Sequence, residues 1–262
     1  MKLLEIPSFF YTTAKHTVEL GALPILDDNY AWFLRTQTHV CIVDPGEAAP
    51  ILQWLRAKEL KLTDILITHH HPDHVGGVQD LLAAFPNVNI WASERSHLHF
   101  SAQRLKPHDT VHLHPSFGLS LSVLDLSGHT FDQIGYFWED QNTNQNPFVF
   151  CGDALFSAGC GRIFKDGSMQ EAYQSLQRLK ALKQNTLVCC THEYTRVNLQ
   201  FAQSIEPHNL ALTQSYQEVL TRLDKGLATL PSTIGREHSI NLFLKAPSFE
   251  AFKKLRLLRN EF

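Results

Sequence analysis

From Val18 the pattern of the chain becomes regular: short apolar runs end in small or polar turns, some of them followed by amphipathic stretches, with no internal repeat. The runs Ala31–Leu34, His39–Val43, Asp64–Ile67 and Val88–Trp91 read as strands. Ala48 to Leu60 reads as a helix, with apolar residues at Ile51, Leu52, Leu55 and Leu60. The middle of the chain is strand-rich. Leu119–Leu124 alternates with period two, and Ile134–Trp138 and Phe148–Cys151 flank the polar hairpin loop Gln141–Asn146. A helix from Ser168 to Leu182 and a strand Thr186–Cys190 follow. After His192 the spacing becomes helical, over Glu193–Ile205, Ala211–Leu230 and Phe249–Arg259, with one short strand-like stretch near Ile240. Residues before Val18 carry little pattern. The expectation is an α+β chain with a strand-and-helix domain over residues 1–192, of which 1–17 is an unassigned N-terminal extension, and a helical domain over 193–262.

At the end of one predicted strand stands Thr68-His69-His70-His71-Pro72-Asp73-His74. His69, His71, Asp73 and His74 offer three imidazoles and a carboxylate within six residues, the donors that Zn, Fe and Mn accept. Histidine is common here, 15 of 262 residues. Even so, with about 0.06 per position, an accidental match over the chain is expected roughly 0.003 times. One loop cannot complete a two-metal site. Three further candidates follow predicted strands: His129 in Gly128-His129-Thr130, Asp153 in Gly152-Asp153, and His192 in Thr191-His192-Glu193.

Composition narrows the rest. A formal net charge of −3 leaves no basic footprint, so nucleic acid is not an expected partner. No apolar run approaches the roughly eighteen residues of a membrane span. Glu5 and Pro7 interrupt any signal-like stretch, and five cysteines without Cys-x-x-Cys spacing suit reduced thiols. A cytoplasmic protein is expected.

With these motifs stand Leu26-Asp27-Asp28-Asn29-Tyr30, Val43-Asp44-Pro45-Gly46, Gly152-Asp153-Ala154-Leu155-Phe156, Cys160-Gly161-Arg162 and His192-Glu193-Tyr194-Thr195. Together they resemble the metallo-β-lactamase superfamily and, within it, the glyoxalase II family of hydroxyacylglutathione hydrolases, from about Ala22 to Phe262. The resemblance implies an αββα sandwich with a helical C-terminal domain and two divalent metal ions, Zn before Fe or Mn. It implies one metal on His69, His71 and His129, the other on Asp73, His74 and His192, and Asp153 bridging, with Asp73 and Asp153 catalytic and His70 turned away. It implies a monomer that hydrolyses S-2-hydroxyacylglutathione thioesters such as S-D-lactoylglutathione through a bridging hydroxide. Arg162, Tyr194, Arg256 and Arg259 are implied as the glutathione contacts. Guanidinium suits a ligand with two carboxylates, and Arg256 and Arg259 are three apart on one helix.

The chain departs from the family pattern in places. Thr130 is followed by Phe131-Asp132-Gln133 where a second Gly-His is usual, which puts the loop near His129 in question. Ser127 replaces a usual Pro and is expected to loosen that turn. Arg259 stands for a usual Lys, and Phe164 lacks a Tyr hydroxyl. Alternatives from the same fold are another ester, lactone or thioester hydrolase, a mononuclear-iron persulfide dioxygenase, and a metal-binding relative without catalysis. A β-lactamase is not expected, because a secretion signal is not read in the first residues, nor a nuclease, because the net charge of −3 does not supply a basic surface.

Overall fold

The structure is a computed structural model that describes residues 4–13 and 16–262; residues 1–3 and 14–15 of the N-terminal extension lie outside the described residues. Two mixed sheets face one another. The first runs in chain order: β1 (Phe9–Thr12), β2 (Thr17–Ile25), β3 (Asn29–Arg35), β4 (His39–Val43), β5 (Lys61–Leu66), β6 (Asn89–Ser93) and β7 (Gln103–Leu105). It is antiparallel up to β4 and parallel from β4 to β7. The second carries β8 (Thr110–His112), β9 (Ser120–Asp125), β10 (Ile134–Trp138), β11 (Phe148–Gly152), β12 (Leu187–Cys190) and β13 (Ser232–Thr233), in the order β13-β12-β11-β10-β9-β8.

The alternation of each strand explains the layers. Trp32, Leu34, Cys41 and Val43 point into the space between the sheets and meet Val123, Ile134, Tyr136 and Phe150. Ala31, Phe33, Val40 and Ile42 point the other way, against Ile51 and Leu55 of α1 (Ala49–Ala57) and Leu81 of α3 (Val78–Ala84). The second sheet is covered by α4 (Met169–Lys180) and by the C-terminal helices α8 (Leu242–Lys245) and α9 (Phe249–Glu261). The result is the αββα sandwich. The five cysteines are free and buried.

Several elements differ from the expectations. The first helix stops at Ala57, because Glu59 takes a positive φ of 53° and Leu60 folds back, its N–H donating to Leu55. After α5 (Thr195–Ile205), α6 (Leu210–Asp224) ends six residues short of Leu230. Gly226, at φ 74°, reverses the chain, and an extended stretch follows. The strand-like stretch near Ile240 is helical, α7 (Ile234–Ile240), with Thr233 Oγ1 capping the N–H of Arg236. The extension has structure too. Phe9–Thr12 adds a strand to β2, and Tyr11 is buried edge-on to Trp138 and Phe148. Glu5 exchanges main-chain hydrogen bonds with Gly226 and Ala228. The loop between β10 and β11 anchors this strand, Gln145 bonding both the N–H and the carbonyl of Thr12. Among the described residues, no helix is long and apolar enough to cross a membrane.

Candidate metal centre

The parallel pairs β4–β5 and β11–β12 end at the same edge of the sandwich, and the loops leaving them converge there. From β5 comes Thr68–His74, closing in α2 (Pro72–Val75); from β9 comes His129; from β11, Asp153; from β12, His192. Gly152 permits the approach of two of these loops. Its φ is +50°, and a Cβ there would lie 2.5 Å from the Thr68 hydroxyl.

The seven expected donors come together. His69 Nε2 lies 3.0 Å from His71 Nδ1, and His129 Nε2 lies 3.1 Å from the same atom. In a second group, Asp73 Oδ2 lies 3.5 Å from His74 Nε2 and 3.4 Å from His192 Nε2. Asp153 stands between the groups, Oδ1 3.4 Å from His74 Nε2 and Oδ2 3.5 Å from both His129 Nε2 and His192 Nε2. A tetrahedral metal with bonds of roughly 2.0–2.1 Å has donor–donor edges of about 3.3 Å. The spacing therefore fits two cations sharing Asp153. His74 Nε2 and Asp153 Oδ1 are buried without a hydrogen-bond partner, a costly state that a bound cation would relieve.

Outer contacts fix which nitrogen faces the centre. The Nδ1–H of His129 donates to the Arg162 carbonyl at 2.6 Å, and that of His192 to Asp28 Oδ1 at 2.8 Å. His69 Nδ1 meets Thr68 Oγ1 at 3.1 Å. Asp44, at φ 51°, accepts from the Thr68 N–H and hydroxyl. Asp44 Oδ2 also sits 2.9 Å from His74 Nδ1, out of hydrogen-bond alignment but in ionic contact. Asn29 Nδ2 donates to Asp73 Oδ2 at 3.0 Å. Burial holds His69, His71 and His129 below the ordinary imidazole range, so they are neutral and ready to ligate. Burial opposes ionisation of Asp153 too, but the imidazoles of His192 and His74 outweigh it and keep the carboxyl well below the usual range.

His70 turns away from this cluster, its Nδ1 2.8 Å from the buried carboxylate of Asp132. Asp132 also accepts from Ser96 Oγ, so the loop after His129 is braced against the His69–His71 loop. Gln133 Nε2 donates to the Cys151 carbonyl at 2.9 Å. The turn at Ser127 is pinned rather than loose: its N–H and hydroxyl both reach Asp125 Oδ1. Asp28, Asn29, Asp44 and Asp132 support the centre and were not foreseen in that role. The first three stand in motifs that carried the resemblance, which was the available signal.

Beside the second donor group opens a cavity of about 230 Å³, lined by Arg162, Tyr194, Arg256 and Arg259 together with Phe156 and Asn198. Tyr194 stacks on His192, rings 4.6 Å apart and 6° from parallel. Phe164 packs edge-on to His71 and His129 with nearly half its surface exposed. Arg256 differs from a free carboxylate hook: it is buried and already bonded to protein carbonyls.

Residues 25–192 match the family model of the metallo-beta-lactamase superfamily, and residues 193–262 match the model of the hydroxyacylglutathione hydrolase C-terminus. The chain is 40% identical over 242 residues to a hydroxyacylglutathione hydrolase of Synechococcus sp. (strain CC9902), covering 90% of this chain and 95% of that one. It is 41% identical over 234 residues to the hydroxyacylglutathione hydrolase of Edwardsiella ictaluri (strain 93-146), covering 89% of each. Among solved structures, ETHE1 from Myxococcus xanthus superposes with a TM-score of 0.62 at 23% identity, over 98% of this chain and 91% of that one. TTHA1623 in a di-iron-bound form gives 0.58 at 20% identity, over 85% and 98%. Those two likenesses carry the fold alone. The sequence relatives and the two adjoining family matches carry more: the chain belongs to the hydroxyacylglutathione hydrolase (glyoxalase II) family of the metallo-β-lactamase superfamily.

Proposed function

We propose that this protein hydrolyses S-2-hydroxyacylglutathione thioesters, S-D-lactoylglutathione first among them, to the free hydroxy acid and glutathione, the second step of methylglyoxal detoxification. The observation that carries the reading is the contact between the two halves of the site: Tyr194, on the wall of the arginine-lined cavity, stacks directly on His192 of the donor cluster. A thioester whose glutathione lies in that cavity has its carbonyl at the cluster.

His69, His71 and His129 would hold one cation, Asp73, His74 and His192 the other, and Asp153 both. Two divalent metals bound there supply an acidified water and Lewis acidity toward a carbonyl. Zinc is the metal we assign; the same donors admit iron and manganese. Asn29 donates to Oδ2 of Asp73, the oxygen that faces His74 and His192, and so fixes the aim of a carboxylate we assign to orient the attacking water. A thiolate leaves without a proton donor, which accounts for a mechanism needing no separate acid among these residues. Arg162 and Arg259 face the cavity as the cationic partners for the two carboxylates of glutathione. The protein is assigned as a cytoplasmic monomer with a small-molecule substrate, in two domains, 1–192 and 193–262.

Hydrolysis of S-D-lactoylglutathione by the purified protein tests this, with metal content determined on the same sample. Turnover at close to two metals per chain is expected. No turnover at full loading would remove the assignment.

A further inference from the structure

Arg256 belongs to α9, in the C-terminal helical region, and its side chain does more than line the cavity. Nη1 donates to the Cys160 carbonyl at 2.9 Å and reaches the Gly161 carbonyl at 3.4 Å. Nη2 donates to Asn260 Oδ1 at 3.0 Å, and the guanidinium stands 5.3 Å from the centre of the Phe243 ring. Both terminal nitrogens thus hold protein acceptors, two of them main-chain carbonyls of one loop, while Nε is buried without a partner. Arg259 contrasts with it: partly exposed, with one long hydrogen bond at 3.5 Å to Asn198 Oδ1 and its guanidinium 5.8 Å and 5.7 Å from the Phe201 and Phe262 rings.

The loop that Arg256 holds is the one that orients His129. A Cβ on Gly161 would lie 2.1 Å from the Asp153 carbonyl oxygen and 2.9 Å from His129 Nδ1, so this loop is wedged between two of the donors. The next residue, Arg162, supplies the carbonyl that accepts the Nδ1–H of His129 at 2.6 Å. We infer that Arg256 is a positioning residue for the metal centre: it fixes the Cys160–Arg162 loop, and through the Arg162 carbonyl it sets the tautomer and aim of His129. The α9 helix would then set metal affinity as well as glutathione affinity.

Competitive chelation of zinc, with cobalt(II) visible spectra on the same samples, tests this on full-length wild type, R256A, R256K and R259A. Outer partners of metal ligands are worth about 10–100-fold in affinity. R256A is expected to loosen one of the two equivalents by about that factor and to shift the cobalt spectrum. R256K, whose ammonium cannot serve Cys160 and Asn260 together, is expected to show a smaller loss in the same equivalent. R259A is expected to keep both affinities and the spectrum, and to raise only KM for the thioester. Wild-type affinity and spectrum in whichever Arg256 variants fold, with KM raised as in R259A, would overturn the assignment. The KM comparison rests on the thioesterase reading; chelation does not. Absence of wild-type turnover would sink that reading and leave the Arg256–His129 link to be decided by metal affinity.

Discussion

Replacing Asp132 isolates the brace that links the two ligand-bearing loops. Its carboxylate is buried and accepts from two side chains: His70 Nδ1 at 2.8 Å and Ser96 Oγ at 2.5 Å. Asp132→Ala removes both partners. Ser96 is buried and is left with an unmet hydroxyl, at about 1–3 kcal/mol. His70 keeps access to water, with 29% of its side chain exposed, so its loss is nearer 0.5–1.5 kcal/mol. The sum is about 3 kcal/mol, which for a chain of this size lowers the unfolding midpoint by roughly 6–12 °C. Asp132→Asn keeps the shape, with Oδ1 toward His70 and the amide toward Ser96, whose hydroxyl can accept as well as donate. Its midpoint should stay within about 3 °C of wild type. Calorimetry on the metal-loaded proteins measures both. An alanine variant as stable as wild type, or an asparagine variant as poor as alanine, would show that the brace contributes nothing through its hydrogen bonds.

Three further outcomes are expected. Asp28→Ala takes the partner from His192 Nδ1 and should weaken metal binding by about 10–100-fold in a chelator competition; an unchanged affinity would remove Asp28 from the support of the site. Tyr11→Ala should cost about 3–5 kcal/mol, seen in urea unfolding, because the ring is buried against Trp138 and Phe148 although it lies before the family match. In the metal-free protein burial lowers the His74 value, but Asp44 and Asp153 outweigh it and push it up to about 10. A raised folded value stabilises fully below the unfolded value of about 6.5 and is lost as pH climbs through the folded one. The urea midpoint of the chelated protein should therefore fall between pH 7 and 10, and a flat or rising midpoint would contradict it.

The strands that carry alternation were legible, as were the donors at their ends, because a His or Asp after an apolar run has a definite place in an α/β layer. What escaped was set by tertiary contact. β7 is three residues long, and of the four residues of β1 Tyr11 is buried, Phe9 only partly so, and Phe10 and Thr12 are exposed. Leu60 and Leu230 continue a helical spacing but are buried from outside a helix, where a reversal presents them to the core. The pair Arg256 and Arg259 shares a helix face only loosely. Three residues leave the side chains about 60° apart around the axis, enough to bury one and leave the other at the cavity. The Arg162 carbonyl that orients His129 is a main-chain group, and no residue type announces it.

The missing second Gly-His shows how the centre tolerates change. In its place Gln133 sends its amide to the Cys151 carbonyl, two residues ahead of Asp153, and the next N–H, of Ile134, donates to the Thr68 carbonyl, one residue ahead of His69. Asp132 reaches the same loop through His70, and Ser127 closes the turn that a proline would otherwise stiffen. Each link is a single hydrogen bond, worth about 0.5–1.5 kcal/mol where neutral. No one of them can hold a donor within a few tenths of an ångström. Three bonds from three consecutive residues, to two different ligand strands, over-determine the loop. The geometry required of His129 then survives the exchange of Asp132 for another acceptor, or of Gln133 for another donor, at the right reach. The constraint on this segment is therefore on its hydrogen-bond endpoints, the Cys151 and Thr68 carbonyls and His70, rather than on the residue types that meet them.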